Sequence, residues 1–592
     1  MKYKRTNYCG KIFSKHIGKK VTVCGWVVKQ RNLGHLIFVD LRDITGIVQL
    51  NFSKKDISLF EKASLLKSEF VIIAVGKVME RSNKNKNLLT GNIEIKVSKL
   101  EICSKAETTP FEIVQKLNVK EELRLQYRYL DLRRKNLAEN FIMRHKILKF
   151  TREHFDKYGF FEIETPVLTK STIEGARDYL VPSRVFPGKF FALPQSPQLY
   201  KQLAMIAGFD RYIQIAKCFR DEDLRSDRQP EFTQIDLEMS FADEEDIMTV
   251  VENFIKKLFK KFFSKTIKLP LRKISYDECI EKYGSDKPDL RYEMKLIHLD
   301  DELSDTNFKI FKDAINSGGS VVGVKAENAA KSFSRKEIEK LSEKLKTYGA
   351  KGLVFTKLDK DGTVSSSFEK FLSQDEKISI RKKAFIKSGD ILFVVADKVR
   401  LNCFYTAGNL RFEIAKKLKL LENKADSLFW VTDFPMFVYS ECENRLVAAH
   451  HPFTAPQDED LEFLETYPEK IKARAYDLVL NGNEIGGGSI RINNIKLQME
   501  IFKVLGINKN EVENRFGFLL NALRFGTPPH GGFAFGFDRL LMILLGCESI
   551  KDVIFFPKAS NSFELMSSSP SEVYKSQLKA LKISVCHKNK KS

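Results

Sequence analysis

Apolar positions between residues 21 and about 100 come in short runs broken by turn residues: VTVCGWVV, LIFVDLR, IVQLNF, FVIIAVGKV and IEIKVSKL. Alternation with period two, clearest at Ile93, Ile95 and Val97, marks half-buried strands. A helix-like stretch from Asp56 to Lys67 separates the third run from the fourth. Residues 106–136 are polar and end in RYLDLRR, which reads as a hinge. A helix is predicted from about Leu137 to Tyr158, with Phe141, Leu148 and Phe155 seven apart and Ile147 widening the stripe. Gly159 ends it, and the strand FFEIETPVL follows. Pro166 within that strand argues for a sheet edge or an interface, because proline cannot donate to a ladder. Residues 291–426 change character: they are Lys-rich, with a helix pattern in SRKEIEKLSEKLKTYG and strands in KGLVFTKL and DILFVVAD. They read as an α+β insertion that splits a larger domain into 137–290 and 427–560. Residues 561–592 form a polar, Lys-rich extension.

Five short strands with a helix after the third describe an OB-type β-barrel over residues 1–105, a fold whose open face binds oligonucleotides; another small barrel is the competing architecture. On that face Arg31 precedes the loop Asn32-Leu33-Gly34-His35, and Phe38 and Gln49 follow on neighbouring strands. An exposed Phe can stack on an unpaired base while Arg and Gln bond its edge. Read alone, Phe38 in the second strand is more simply a core residue.

Composition sharpens the choice of partner. The 592 residues carry 99 Lys+Arg against 77 Asp+Glu, a formal charge of +22, which favours a polyanion. Nine cysteines are scattered with no CxxC pair, which argues against a zinc knuckle and for a reducing compartment. The N-terminus MKYKRTNYCGKIF lacks the apolar core of a secretory signal, and no run approaches a membrane span. A soluble, cytoplasmic protein is expected.

The chemistry concentrates in a few stretches. In CFRDEDLRSDRQPEFTQIDLE, Arg220, Arg225 and Arg228 suit phosphate, since guanidinium forks match phosphate oxygens in pairs. Asp221, Glu222 and Asp223 can orient those arginines or meet a ribose, an adenine amino group or a metal. Phe232 offers a platform for a purine ring. GGFAFGFDRLL supplies Arg539 after glycines that allow close approach, yet it is neither a Walker loop nor a dinucleotide fingerprint. In the stretch ending NGNEIGGGSIRI, Asp477 and Glu484 are seven residues apart; two carboxylates in one strand-loop unit suit Mg²⁺, which bridges protein to phosphates. A solvated acid pair is the plainer reading.

Taken together, Glu164-Thr165-Pro166, FRDED…RQPEFTQ and GFDR resemble the three signature motifs of the class II aminoacyl-tRNA synthetases. IEGARDYLVPSR, LPQSPQLYKQL, YGSDKPDLR and AAHHPFTAP narrow the resemblance to the bacterial-type aspartyl-tRNA synthetases of subclass IIb, over roughly residues 5 to 560. The resemblance implies a multidomain α+β protein: an anticodon-binding OB-fold, an antiparallel-sheet catalytic domain with the insertion, and a homodimer joined through the first motif around Pro166. It implies an enzyme that activates L-aspartate with ATP and Mg²⁺ and transfers it to tRNA(Asp). Arg31, Leu33, Phe38 and Gln49 would meet the anticodon. Glu174, Ser196, Gln198 and Asp236 would hold the amino end of aspartate. Lys201 and Arg491 would bind its side-chain carboxylate, with His450 on a mobile loop over the pocket. Arg220 would bridge the substrate carboxylate and the α-phosphate, with Arg539 and Glu484 completing the catalytic set. Asp221, Glu222, Gln229, Phe232 and Gly536, Phe537, Asp538 and Arg539 would form the ATP site, and Asp477 and Glu484 would organise Mg²⁺. Members that charge tRNA(Asn) as well often carry His at the position of Leu33, so Leu33 points to tRNA(Asp) alone; a non-discriminating enzyme is the alternative.

Overall fold

The computed structural model describes residues 3–172, 175–422, 424–441 and 443–586. The chain forms two compact units. The first comprises residues 1–146, 224–229 and 545–572, and the second 147–223, 230–544 and 573–592.

In the first unit, period-two alternation yields strands β1 (Lys20–Asn32), β2 (Leu36–Asp43), β3 (Gly46–Ser53), β4 (Val71–Glu80) and β5 (Ile93–Ser104). They close into a barrel in the order β1-β2-β3-β5-β4. All pairings are antiparallel except β3 with β5. Helix α1 (Ile57–Ser64) begins at Asp56, whose carboxylate accepts from the Leu59 N–H at 3.1 Å, an N-cap that satisfies a free helix donor. It ends three residues before the predicted Lys67, and Leu66 then turns into the barrel core. The plain reading of Phe38 as core is overturned. Ile37 and Val39 are fully buried inside the barrel, so strand alternation puts Phe38 on the outer face, where it is half-buried.

Within residues 106–136 lie the short helices Glu121–Gln126 and Arg128–Asp131. The Arg128 guanidinium is buried. It donates to the carbonyls of Lys551, Ile554 and Phe555 and to Asp131, which also accepts from Arg134.

The second unit is built on an eight-stranded sheet. Its order is Lys273–Ser275, Leu428–Thr432, Ala475–Leu480, Asn483–Ile490, His530–Gly536, Glu231–Ser240, Arg211–Phe219, Phe161–Glu162. The six central strands pair antiparallel, and both edge strands pair parallel. The strand expected over FFEIETPVL shrinks to Phe161–Glu162 at the sheet edge. Pairing stops before Pro166, which has no N–H to offer. The predicted helix runs Lys135–Lys157, and within this unit it buries Ile147, Phe150, Thr151, His154 and Phe155. Leu148, placed in the stripe by sequence, is only half-buried. Phe150 and Phe155 pack on Phe254 of the helix Glu244–Phe263, and Phe254 packs on Phe535 of the sheet. The insertion forms its own five-stranded antiparallel sheet, Leu296–His298, Ser320–Ala326, Ile391–Asp397, Val354–Leu358, Val364–Ser366. A hydrophobic core lies on each of its faces.

Candidate active site

Alternation along Glu231–Ser240 places Asp236 and Glu238 on one face of the sheet, both fully buried. Glycines across the ladder make this possible: a Cβ on Gly532 would stand 1.9 Å from Glu238 Oε2, and one on Gly487 would stand 2.3 Å from Asp477 Oδ1. The helix Gln198–Ile206 delivers Lys201, whose Nζ lies 3.1 Å from Asp236 Oδ1 and 3.3 Å from Glu238 Oε2. Arg491, just past the strand Asn483–Ile490, donates through Nε and NH2 to the two Glu238 oxygens at 2.8 and 3.1 Å. Its NH1 donates to Ser489 Oγ at 2.5 Å and faces His451 Nε2 at 2.8 Å. Burial alone would raise the Glu238 carboxyl, but Arg491 and Lys201 outweigh it and hold the group down to about 2. Asp236 moves the other way: burial raises it, and the single Lys201 contact does not offset that. Glu238, paired with both cations, anchors this cluster.

Apart from Glu238, these groups line an open cavity of about 610 Å³. Ser196, Gln198, Lys201, Asp236, His450, His451, Ser489 and Arg491 share it with Arg220, Glu222, Asp477, Glu484 and Gly536. Gln198 Nε2, Asp236 Oδ2, Arg220 Nε and His450 Nε2 are buried polar atoms without a protein partner, which a polar ligand would satisfy. A guanidinium has five N–H donors and an ammonium three. Arg491 commits four of its donors within the protein and Lys201 two. One donor on each is left, a pair that suits the two oxygens of a carboxylate.

Around the other part of the cavity, the Arg220 guanidinium lies over the Phe232 ring at 5.2 Å. Arg539, in the first turn of the helix Phe537–Leu544, donates to the Glu484 carbonyl at 3.0 Å. Asp538 is buried and accepts from the Thr233 N–H at 2.7 Å. Asp221, Phe232, Phe537, Asp538 and Arg539 do not themselves line the cavity. Gln229 lies in the other unit, where its side-chain amide pairs both ways with the Lys558 backbone. Glu174 falls outside the described residues; its neighbours Gly175 and Ala176 line the cavity.

Burial, then Glu484 and Asp286, push the Asp477 carboxyl well above its ordinary range. Such a cluster of oxygen donors fits a hard divalent cation. Among the described residues no group of three or more His, Cys, Asp or Glu is arranged to hold a metal.

The sequence reading missed Glu238, His451, Tyr276, Asp286 and Tyr405. Glu238 was legible as the next same-face residue after Asp236. Tyr405, on the insertion helix Arg400–Lys417, carried no signal, although its hydroxyl lies 3.3 Å from that of Tyr276 on the cavity wall.

On the barrel's outer face, Arg31 pairs in register with Phe38 and donates to Asp40 and Gln49, both at 3.1 Å. Gln49 and Asn51 in turn donate to Glu94, each at 2.7 Å. Arg31, Phe38 and Gln49 thus form one patch, while Leu33 sits at the tip of the β1–β2 turn, 68% exposed.

A family model for tRNA synthetases class II (D, K and N) matches residues 120–560, and one for an OB-fold nucleic acid binding domain matches residues 21–103. The chain is 52% identical over 583 residues to an aspartate–tRNA ligase of Ruminiclostridium cellulolyticum, covering 98% of each chain. It is 51% identical over 587 residues to an aspartate–tRNA(Asp/Asn) ligase of Lachnoclostridium phytofermentans, covering 99% of this chain and 98% of that one. Among solved structures, asparaginyl-tRNA synthetase from Pyrococcus horikoshii complexed with asparaginyl-adenylate shares the fold. Its TM-score is 0.58 at 21% identity, over 94% of this chain and 98% of that one.

Proposed function

From the premise that this chain belongs to the class II tRNA synthetases of the D, K and N group, we propose that it is an aspartate–tRNA ligase acting in the cytoplasm as a homodimer. The carrying observation is the shared placement of Lys201 and Arg491, each with one donor to spare, around the anion Glu238. The side-chain carboxylate of L-aspartate takes those two donors. Asp236, Gln198 and Ser196, with Glu174, receive its amino end.

The α-carboxylate is ionised far below neutral pH, so it needs no general base. One of its oxygens attacks the α-phosphorus of ATP, the bond to the bridging oxygen breaks, and pyrophosphate leaves. Arg220 faces both anions and lowers the barrier by placing positive charge where negative charge gathers. Phe232 and Arg539 hold the adenine. Asp477 and Glu484 hold Mg²⁺, which when bound supplies charge neutralisation on the phosphates. A terminal ribose hydroxyl of tRNA(Asp) then attacks the aspartyl carbonyl, releasing AMP and one proton. Arg31, Phe38 and Gln49 read the anticodon, with Leu33 beside them.

Asparagine is rejected because its neutral amide leaves buried cations underpaired, which is costly. Charging of tRNA(Asn) as well is the second reading, favoured by relatives at 51% identity named for both tRNAs; Leu33 favours the first. Aminoacylation of purified tRNA(Asp) and tRNA(Asn) with labelled aspartate tests both readings. Transfer to tRNA(Asp) is expected, and no transfer to either would overturn the proposal.

A further inference from the structure

His451 faces the cavity beside Arg491, and everything around it fixes its place. The Thr454 N–H closes a turn on the His451 carbonyl at 3.1 Å. Gln498 Nε2 donates to the Pro452 carbonyl at 2.8 Å, and the Phe453 ring is fully buried against Phe502 and Phe516. Thr454 forms an isolated antiparallel bridge with Arg491, flanked by Ala455 N–H to Ile490 carbonyl and Ile492 N–H to Phe453 carbonyl bonds at 2.9 Å. The backbone thus holds the imidazole beside the guanidinium without help from the imidazole.

The hydrogen-bond roles are then constrained. Arginine can only donate, so His451 Nε2, 2.8 Å from Arg491 NH1, accepts. A neutral imidazole has one acceptor nitrogen, so Nδ1 carries the proton and is directed at Thr454 Oγ1, 3.4 Å away. The Phe453 N–H also faces Nδ1, at 3.2 Å. Two donors thus compete for one lone pair, and the charged, closer Arg491 takes it. Thr454 Oγ1 lies 3.2 Å from Ser489 Oγ, which accepts from Arg491 NH1. Arg491, His451, Thr454 and Ser489 therefore form a closed circuit. Burial, Arg491 and His450 keep the imidazole's affinity for a proton well below the ordinary range, consistent with an acceptor.

We propose that His451 is a positioning residue for amino-acid selection: as a neutral acceptor it immobilises one arm of the Arg491 fork, so that only a single N–H of Arg491 remains for the ligand's carboxylate. The inference rests on the assignment of Arg491 to the aspartate side chain. Without His451 the fork has two donors to place, and its NH1 arm is held by Ser489 alone. A carboxylate then binds less well and an amide oxygen is refused less firmly.

Aspartate-dependent ATP–pyrophosphate exchange on the full chain tests this. His451→Leu is expected to raise the KM for aspartate roughly tenfold, as for loss of a bond to a charged group, with the KM for ATP changed less than about twofold. His451→Gln, whose amide oxygen reaches about as far as Nε2, is expected to restore the aspartate KM to within about threefold of the parent. Thr454→Val, which removes the partner of Nδ1, is expected to raise the aspartate KM by roughly threefold. An unchanged aspartate KM in His451→Leu, a parallel rise in both KM values, or no rescue by Gln would overturn the positioning role. Arg491→Leu separates the two levels. If it leaves the aspartate KM unchanged, the assignment of Arg491 fails and the inference with it. If it raises that KM while His451→Leu does not, only the inference falls.

Discussion

Glu238 is the residue on which the site's electrostatics turn. It pairs with both Lys201 and Arg491 while fully buried, and removing one partner from such a cluster is expected to cost about 3–5 kcal/mol. Its carboxyl is held down to about 2 against an ordinary value near 4.3 in an unfolded chain. A depressed folded-state value adds stability above the unfolded value and loses it as pH falls through the folded one. The contribution, on the order of 3 kcal/mol, is therefore present above about pH 4.5 and fades towards pH 2. Urea titrations between pH 6 and 3 are expected to show a shallower acid loss for Glu238→Gln than for the parent; parallel curves would contradict the assignment. Lys201 and Arg491 were recognisable from motif text. Glu238 was legible as a strand neighbour of Asp236, but its importance was not, because that comes from being buried between two cations brought together by three separate segments of chain.

At the scale of elements, the barrel was readable because alternation is a local property of each strand. The face to which Phe38 belongs was not readable from that residue alone, since register decides it. Phe38 is half-buried on the outside, so Phe38→Ala is expected to lower stability by less than about 1 kcal/mol. It is also expected to weaken tRNA binding by roughly tenfold, the worth of one stacked base. Filter binding beside thermal melts checks this, and a large stability loss with unchanged tRNA affinity would contradict it. The segment ending RYLDLRR, which reads as a polar hinge, instead buries Arg128 against the carbonyls of Lys551, Ile554 and Phe555. Replacing it with Met leaves those acceptors and Asp131 underpaired and is expected to cost about 3 kcal/mol in denaturant titrations. Nothing in the local pattern marks those carbonyls, because they lie more than four hundred residues away.

For the whole molecule, a charge of +22 is an argument about the partner rather than the fold. tRNA affinity is expected to fall steeply with salt, while aspartate activation, which needs no tRNA, changes little. The insertion's separate sheet was legible as a change of composition. Its contribution of Tyr405 to the cavity wall was not, because that contact depends on how the insertion packs rather than on any motif.

The most direct test of the account is ATP–pyrophosphate exchange by the full chain with aspartate, asparagine and lysine in parallel. Aspartate is expected to support exchange at least about a hundredfold better than either competitor in kcat/KM, because only a side-chain carboxylate matches the spare donors of Lys201 and Arg491. Equal or better exchange with asparagine or lysine would contradict it.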